Sequence, residues 1–457
     1  MEEPIAIVGA DIRIRDCPFS IRRYFEEKLT FSNPDFYKKQ AMGRWTGNTP
    51  EQIVLYERNG RDLILPFGML PEVFRMRNKF SQIESEIGER QRVEYHSKIN
   101  LYDYQETALK SAIRKRQGVV VAPCGAGKTM LGLQLAATIG LKTLWLTHTQ
   151  DLLNQSMNKA IEVYGLSEGD IGTITGGKID IGNVITFATV QTACKIDLKK
   201  YRDAWGCVIV DECHRVSGTP TRVTMFSRVL SEVSARYKFG LTATPKRSDG
   251  LTLCMFALLG EKVAEIQKTE VSTTCPVEVR FVETNYQPDY TEILNTDGTI
   301  NYAAYINDVS TDKERNRQIA EEISKLDGTV LVLTDRVKHE ALIARELRDF
   351  SIDARKLSYE KKDGRQKMLN DLRDKRYKVL IATYALAKEG LDIPTLDNLV
   401  LATPQKSEGT VVQSVGRVAR KADGKEFGVV LDVVDDCVMF DRMARSRKRI
   451  YKKNGWI

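Results

Sequence analysis

The sequence predicts an α/β protein: two consecutive parallel-sheet units preceded by a small α+β module. Three observations carry this. From about residue 100, short apolar runs alternate with helix-length stretches, the pattern of parallel strands joined by helical crossovers. The pattern restarts near residue 329. Before residue 95 the texture differs, with short β-like stretches around one helix-length segment. The expected domains are 1–95, 96–272, 273–440 and a basic tail, 441–457.

In the first of these, PIAIVGADIRIRD, EQIVLYER and RDLILPFGM read as strands and FSIRRYFEEKLTF as a helix. Asn59-Gly60 signals a hairpin turn. The segment is rich in arginine and aromatic residues and reads as a separate module. In the next unit GVVVAP, KTLWLTH, NVITFAT, CVIVDE and KFGLTAT read as strands. The stretches after GVVVAP and KTLWLTH read as helices. In the last unit TVLVLTD, YKVLIAT, NLVLAT and FGVVLDVVD repeat the theme. Residues 283–315 read as a loop or insertion.

Bulk properties limit the function classes. Hydrophobic content is 42% and charged content 28%, ordinary for a soluble chain with buried cores. No apolar run approaches the roughly 20 residues that cross a bilayer, and the start does not read as a signal peptide. The expected compartment is the cytoplasm, that of the host for a viral protein, with no membrane partner. Eight cysteines include no C-x-x-C pair, and there are four histidines. Neither a disulfide framework nor a zinc module is indicated. The net charge is +8, compatible with a polyanionic partner. From Arg442 onward the chain carries seven Lys/Arg and no acid. That run reads either as a solvated tail or as a phosphate-contacting helix.

The most informative stretch is VVVAPCGAGKTMLGL. A strand runs into Ala122, Pro123, Cys124, Gly125, Ala126, Gly127, Lys128 and Thr129, then a helix. This is a P-loop with Ala122 at the first glycine position. Small residues let successive backbone N–H groups converge on phosphate oxygens, and the helix N-terminus adds positive potential. Lys128 reaches the β- and γ-phosphates of ATP, and Thr129 places a hydroxyl on Mg²⁺.

Some 80 residues later comes VDECHR, two carboxylates beside a thiol and an imidazole. At the end of an apolar strand, Asp211 suits a Mg²⁺-holding carboxylate and Glu212 a general base for the attacking water. A zinc site at Cys213 and His214 lacks two further ligands nearby. His214 reads as a relay between the γ-phosphate site and a neighbouring strand.

Further motifs follow in order: LYDYQETAL (101–109), LWLTHTQDLLNQ, ITGG, FATVQTA, LTATP (241–245), VLIATYALAKEGLDIP and QSVGRVAR (413–420). With them the chain resembles a superfamily 2 helicase over about residues 100–435, DECH being its motif II. The resemblance implies two tandem RecA-like domains that use ATP and Mg²⁺. It places Gln105 near the adenine. Gly390 and Asp392 line the nucleotide, Gln413 senses the γ-phosphate, and Arg417 and Arg420 act as arginine fingers. Those two lie three apart, near one face if helical. Their place in the second unit makes productive ATP binding depend on closure. Thr242 and Thr244 link nucleotide to strand binding. Thr147, Gly177, Thr189 and Thr383 are implied phosphate contacts, which position a strand without reading sequence.

TATPKRSDG (242–250) resembles the XPB-like and phage UvsW-like branch. MGRWTGNTPEQIVLYERNGRDLILPFGML resembles, more loosely, the N-terminal module of phage-type members of that branch. The expectation is a monomeric DNA helicase or branch-migration motor in replication, recombination or repair. It would act on single-stranded and branched duplex DNA with 3′→5′ polarity. The alternatives are an RNA helicase, a duplex-DNA translocase without strand separation, and a binding module with an idle ATP site. Lys128, Asp211, Glu212, Arg417 and Arg420 together argue against the last.

Overall fold

The computed structural model describes residues 3–457 except 124, 216–224, 244–251, 268–269, 272–274, 296–297, 299, 389–392, 394–395 and 423. The chain forms two compact units, Met1–Glu270 and Val271–Ile457.

The first unit begins with a five-stranded sheet. Its order is Glu57–Asn59, Asp62–Leu65, Ile12–Ile14, Ile5–Val8, Gln82–Ser85. All pairings are antiparallel except the last. The Asn59-Gly60 signal lies where expected: Asn59 pairs with Asp62 across a two-residue turn. The Phe19–Leu29 helix covers the sheet, burying Ile21, Phe25 and Leu29.

This sheet shares one compact unit with the fold that follows it. Its strands are only three or four residues long, and their apolar face extends its core into the next fold. Ile12, Ile14, Phe25, Leu63 and Val73 pack in one cluster with Cys254 and Ala257, from the Thr252–Leu259 helix. The approach is close at Gly68, where a Cβ would lie 2.3 Å from the Ala257 carbonyl oxygen. Gln117 donates to the carbonyls of Phe67 and Gly68. Arg90 bonds to Asp203 at 2.5 Å and to the Ser234 carbonyl at 3.0 Å. A small sheet buries too little surface to stand alone, and here it borrows a face.

The deepest tie is Lys238, on the strand Tyr237–Thr242 and fully buried. Its ammonium donates to the Ala10 carbonyl at 2.9 Å and the Leu230 carbonyl at 2.8 Å. It also sits 4.4 Å from the centre of the Phe67 ring. Burial pushes its pKa down to about 7; Asp11 opposes that shift and Arg202 adds to it.

The eight-stranded sheet that follows runs Lys178–Ile179, Ile171–Thr175, Ile185–Thr189, Thr143–Thr147, Cys207–Asp211, Tyr237–Thr242, Gln117–Val121, Lys262–Glu265. It is parallel apart from the first strand, which pairs antiparallel. The central strands are buried along their whole length, as strands with both faces covered must be. Leu144, Leu146, Val208, Val210 and Trp205 anchor the core. Each such side chain contributes roughly 1.5–3 kcal/mol of transfer free energy.

The second unit is a six-stranded, fully parallel sheet ordered Val277–Thr284, Gly428–Asp435, Asn398–Leu401, Val330–Thr334, Val379–Thr383, Ala354–Lys356. Residues 283–315 are not one loop. The strand ends at Thr284, and Tyr302–Thr311 and Lys313–Ser324 are helices capped by Asn301 and Asp312. The Asn301 carboxamide accepts from two backbone N–H groups, a cap that its flanking polar sequence masked.

The basic run is not a frayed tail. Val438–Lys453 is a helix, and its inner face buries Phe440, Met443, Arg447, Ile450 and Tyr451. Phe440 stacks on Tyr305, with ring centres 4.4 Å apart. Arg442, Arg445, Lys448, Arg449, Lys452 and Lys453 lie on the exposed side.

Candidate functional site

The P-loop connects the strand Gln117–Val121 to the Lys128–Ile139 helix. Gly127 takes φ +71°, and a Cβ there would lie 2.5 Å from the Gln105 amide nitrogen. Only glycine meets both demands. Gln105, on the Asp103–Lys115 helix, is buried. Its Nε2 donates to the Ala126 carbonyl at 2.8 Å, and its Oε1 accepts from the Tyr102 N–H at 3.0 Å. In this structure Gln105 therefore braces the loop. Tyr102 beside it is half-exposed and stacks on Tyr104 at 5.4 Å.

The carboxylates sit on a strand two places away. Asp211 ends Cys207–Asp211, and Tyr237–Thr242 lies between that strand and the P-loop strand. The register aligns Asp211 with Leu241 and Thr242 with Val121. The Thr242 carbonyl accepts from the Ala122 N–H at 2.9 Å. Thr242 thus touches both halves of the site.

Asp211 is buried and its carboxylate accepts from the Glu212 N–H at 3.0 Å. Burial first, then the Glu212 charge, pushes its pKa up to about 7, well above the usual carboxylate range; Lys128 and the Glu212 N–H pull the other way. Glu212 itself has φ +52°. A bulky residue in the left-handed region is uncommon and costs about 1–3 kcal/mol, a strain that clusters at functional sites. Glu212 Oε1 lies 3.8 Å from Lys128 Nζ, and Oε2 lies 3.2 Å from His214 Nδ1. The same Nδ1 lies 3.2 Å from the Thr242 hydroxyl. One ring nitrogen therefore faces two partners. Protonated, it donates to Glu212; bare, it accepts from Thr242. That geometry joins the general-base candidate to the strand beside the P-loop. Cys213 is buried with its sulfur 3.5 Å from that of Met255, a core position.

The oxygen donors Asp211 and Thr129 suit a hard cation such as Mg²⁺. Asp211 in a dry pocket would hold it and Thr129 would complete the hold. Bound there, the ion would neutralise phosphate charge.

In the second unit, Gln413 and Arg417 lie on the Glu408–Val418 helix. Arg417 donates to the Ala387 carbonyl. The helix ends at Val418 with Ala419 as its C-cap. Arg420 lies past that end, so the one-face argument for the two arginines does not hold. Cys124, Thr244, Gly390 and Asp392 lie outside the described residues.

Of the four implied strand contacts, Gly177 is exposed, in the turn joining Ile171–Thr175 to Lys178–Ile179. The three threonines are not on the surface. Thr147 is fully buried, and its hydroxyl donates to the Thr149 carbonyl at 3.1 Å. Thr189 pairs with the Thr192 hydroxyl at 3.1 Å. Thr383 accepts from the Leu386 N–H at 3.4 Å. Threonine closing a strand meets the backbone of the next turn before it meets solvent.

Sequence reasoning missed two groups. Lys238 carried a signal, a lone cation inside the apolar strand YKFGLT. Gln191, inside FATVQTA, donates to the His148 carbonyl at 2.5 Å and so fixes two motif segments together; its spacing gave no hint of that pairing.

A P-loop, a buried aspartate followed by a strained glutamate, and two α/β units define a P-loop ATPase of helicase type. Residues 98–247 match the family described as "Type III restriction enzyme, res subunit", and residues 281–422 match "Helicase conserved C-terminal domain". The ATP-dependent DNA helicase uvsW of Enterobacteria phage T4 is 24% identical, over 97% of this chain and 94% of its own. The DNA 3'-5' translocase XPB2 of Sulfurisphaera tokodaii is 25% identical, over 77% of this chain and 85% of its own. Among solved structures, S. cerevisiae Dbp5 bound to RNA and ADP BeF3 aligns with TM-score 0.56 at 16% identity, over 86% of this chain and 92% of that one. The chain belongs to the superfamily 2 helicases, in the branch of UvsW-like and XPB-like enzymes. It is a nucleic-acid-dependent ATPase. Among the described residues no helix is long and apolar enough to cross a membrane.

Proposed function

We propose that this protein is an ATP-driven DNA motor that unwinds or remodels forked and branched DNA, moving 3′→5′ in replication, recombination or repair. One observation carries the DNA assignment: the likeness to a helicase named for DNA spans 97% of the chain. It therefore includes the N-terminal sheet, which shares its core with the motor fold. A motor that carries its accessory module as part of one core transmits movement to it directly. The polarity rests on likeness to the translocase relative, which is named for 3′–5′ movement.

In this reading Lys128 leaves Glu212 for the β- and γ-phosphates. The freed Glu212 accepts a proton from the attacking water. His214 follows by changing partner between Glu212 and Thr242. Gln413 reads the γ-phosphate. Arg417 and Arg420 supply positive charge to the transferring phosphoryl group, Arg417 giving up the Ala387 carbonyl to do so. Gln105, placed by resemblance at the adenine, is assigned instead to hold the loop in shape.

The test is ATP-dependent strand separation on a four-way junction, a 3′-tailed duplex and a matched RNA duplex. Preference for the junction supports branch migration. Activity mainly on RNA overturns the DNA reading. A second reading, duplex translocation without strand separation, draws support from the restriction-enzyme description of residues 98–247. ATP turnover stimulated by duplex DNA with every substrate left paired would select it.

A further inference from the structure

We propose that residues 34–49 form a contact for unpaired DNA bases, with Trp45 as the stacking surface. The proposal rests on the DNA reading above and gives it a site that the motor motifs did not supply. The segment leaves the first unit between the strands Thr30–Ser32 and Gln52–Val54, which pair antiparallel. Its root is pinned. Asn33 is buried, its N–H donates to the Glu51 carbonyl and its carboxamide to the Pro50 carbonyl, both at 2.8 Å.

Beyond that root the segment is open, with none of residues 34–48 buried. The Pro34–Ala41 helix buries no residue. A helix this short is unstable in water without a packed face, yet polar bonds hold this one. Asn33 caps it through the Asp35 N–H. Lys39 reaches the Thr49 hydroxyl at 2.7 Å, and the Tyr37 hydroxyl donates to Glu51 at 2.9 Å. The chain is ordering a protrusion that adds nothing to a core, which is how binding loops are built.

Trp45 stands on it, 88% exposed. Trp145 and Trp205 are fully buried and Trp456 is half-buried, so Trp45 is the most exposed of the four tryptophans. The ring is also seated: Gly47 takes φ +51°, and a Cβ there would lie 2.9 Å from the indole. The six-membered edge of the indole therefore lies beside the Gly47 backbone while the rest of the ring meets solvent. Between Phe36 and Pro50 the chain carries Lys38, Lys39 and Arg44 and no carboxylate. An exposed flat ring among cations matches an unpaired base with its flanking phosphates. A protein-binding patch would instead be depleted of lysine.

The experiment titrates the full chain, at fixed salt, with a dT oligonucleotide, a forked DNA duplex, a blunt DNA duplex and a forked RNA duplex. Tryptophan emission and the anisotropy of labelled nucleic acid are both read. Expected for wild type is quenching by the oligonucleotide. Trp45→Phe should remove that quenching and keep affinity within about threefold, since a phenyl ring still stacks. Trp45→Ala should weaken oligonucleotide and fork binding about tenfold and blunt-duplex binding less than twofold. Matching thermal melts show that the variants are folded. Quenching that survives in Trp45→Phe, or equal loss on fork and blunt duplex in Trp45→Ala, overturns the proposal and leaves the DNA motor standing. Wild type that binds the RNA fork and not the DNA fork overturns the DNA reading itself and this contact with it.

Discussion

In the first unit Lys128, opening a helix, stands 3.8 Å from Glu212 on a strained turn. In the second, Arg315 grips Asp435 at 2.6 and 3.1 Å and the Ala402 carbonyl at 2.8 Å. Asp435 also accepts from the Thr284 hydroxyl at 2.7 Å. Arg447 holds Asp432 at 2.8 and 2.9 Å, and Tyr451 donates to the same carboxylate. Both sheets carry opposite charges close together. One pair is long, partly hydrated and made from residues that must exchange partners. The others are short and dry, each carboxylate held by more than one hydrogen bond. A buried charge held by several hydrogen bonds fixes structure, because breaking it leaves its partner uncompensated. A long pair costs little to open. The difference separates the group that meets a ligand from the groups that hold a helix on a sheet.

The largest effect expected from this contrast is kinetic. Lys128→Ala should lower DNA-stimulated ATP turnover by about 10³-fold, the order lost when a positioned charge stabiliser is removed. Its melting temperature should stay within about 2 °C of wild type, because an ion pair as long as 3.8 Å, still partly open to water, contributes little stability. A stopped assay for released phosphate and a thermal melt measure both. Large destabilisation in Lys128→Ala would place that pair among the structural ones and dissolve the contrast.

Arg315→Met should do the opposite. It leaves Asp435 buried without its cation, and breaking such a pair costs about 3–5 kcal/mol. Urea unfolding of the second unit reads it. The double variant Arg315→Met with Asp435→Leu should recover most of that loss, since two apolar groups leave no orphaned charge. No recovery in the double variant means that packing, not charge, holds the site.

Lys238→Met probes a third case, a buried cation bonded to carbonyls rather than to a carboxylate. Two acceptors lose their donor, so destabilisation of about 1–3 kcal/mol is expected near neutral pH. The sign with pH follows from the depressed pKa. Between about 7 and the ordinary lysine value of 10.5, the unfolded chain keeps a proton that the folded one has released. Stability from this group therefore rises with pH across that window. Wild type should gain on Lys238→Met between pH 7 and pH 9 in paired urea melts; parallel curves would show that Lys238 stays charged when folded.

Legibility followed the same division. The P-loop and the DECH strand could be read because phosphate chemistry demands particular residues at fixed spacing. The strands around them are apolar runs that fit no other period. For the threonines of motif-like segments the resemblance implied phosphate contacts, but a sequence shows a hydroxyl and not what it bonds. Thr147 looked available and is fully buried. Residues 1–95 looked separable because their composition changes. Their shared packing with Cys254 and Ala257 is a long-range contact that no local pattern announces. Deleting that segment would expose an apolar face of the motor fold, so branch recognition is better tested by surface substitution.

The smallest effect concerns the C-terminal helix, where one element contains both kinds of cation. Arg447 is spent on Asp432. Lys448 and Arg449 face outward, Lys448 lying 4.6 Å from the centre of the Phe281 ring. If the outer face meets phosphates, each lost contact should reduce the slope of log affinity against log salt by about 0.9 for duplex DNA. Lys448→Ala with Arg449→Ala should then flatten that slope by up to about 2 and leave the urea midpoint of the second unit unchanged. Arg447→Ala should lower the midpoint first. A salt slope untouched by the exposed pair would mean that the face is solvated, and that the second unit's contribution to DNA binding lies elsewhere on its surface.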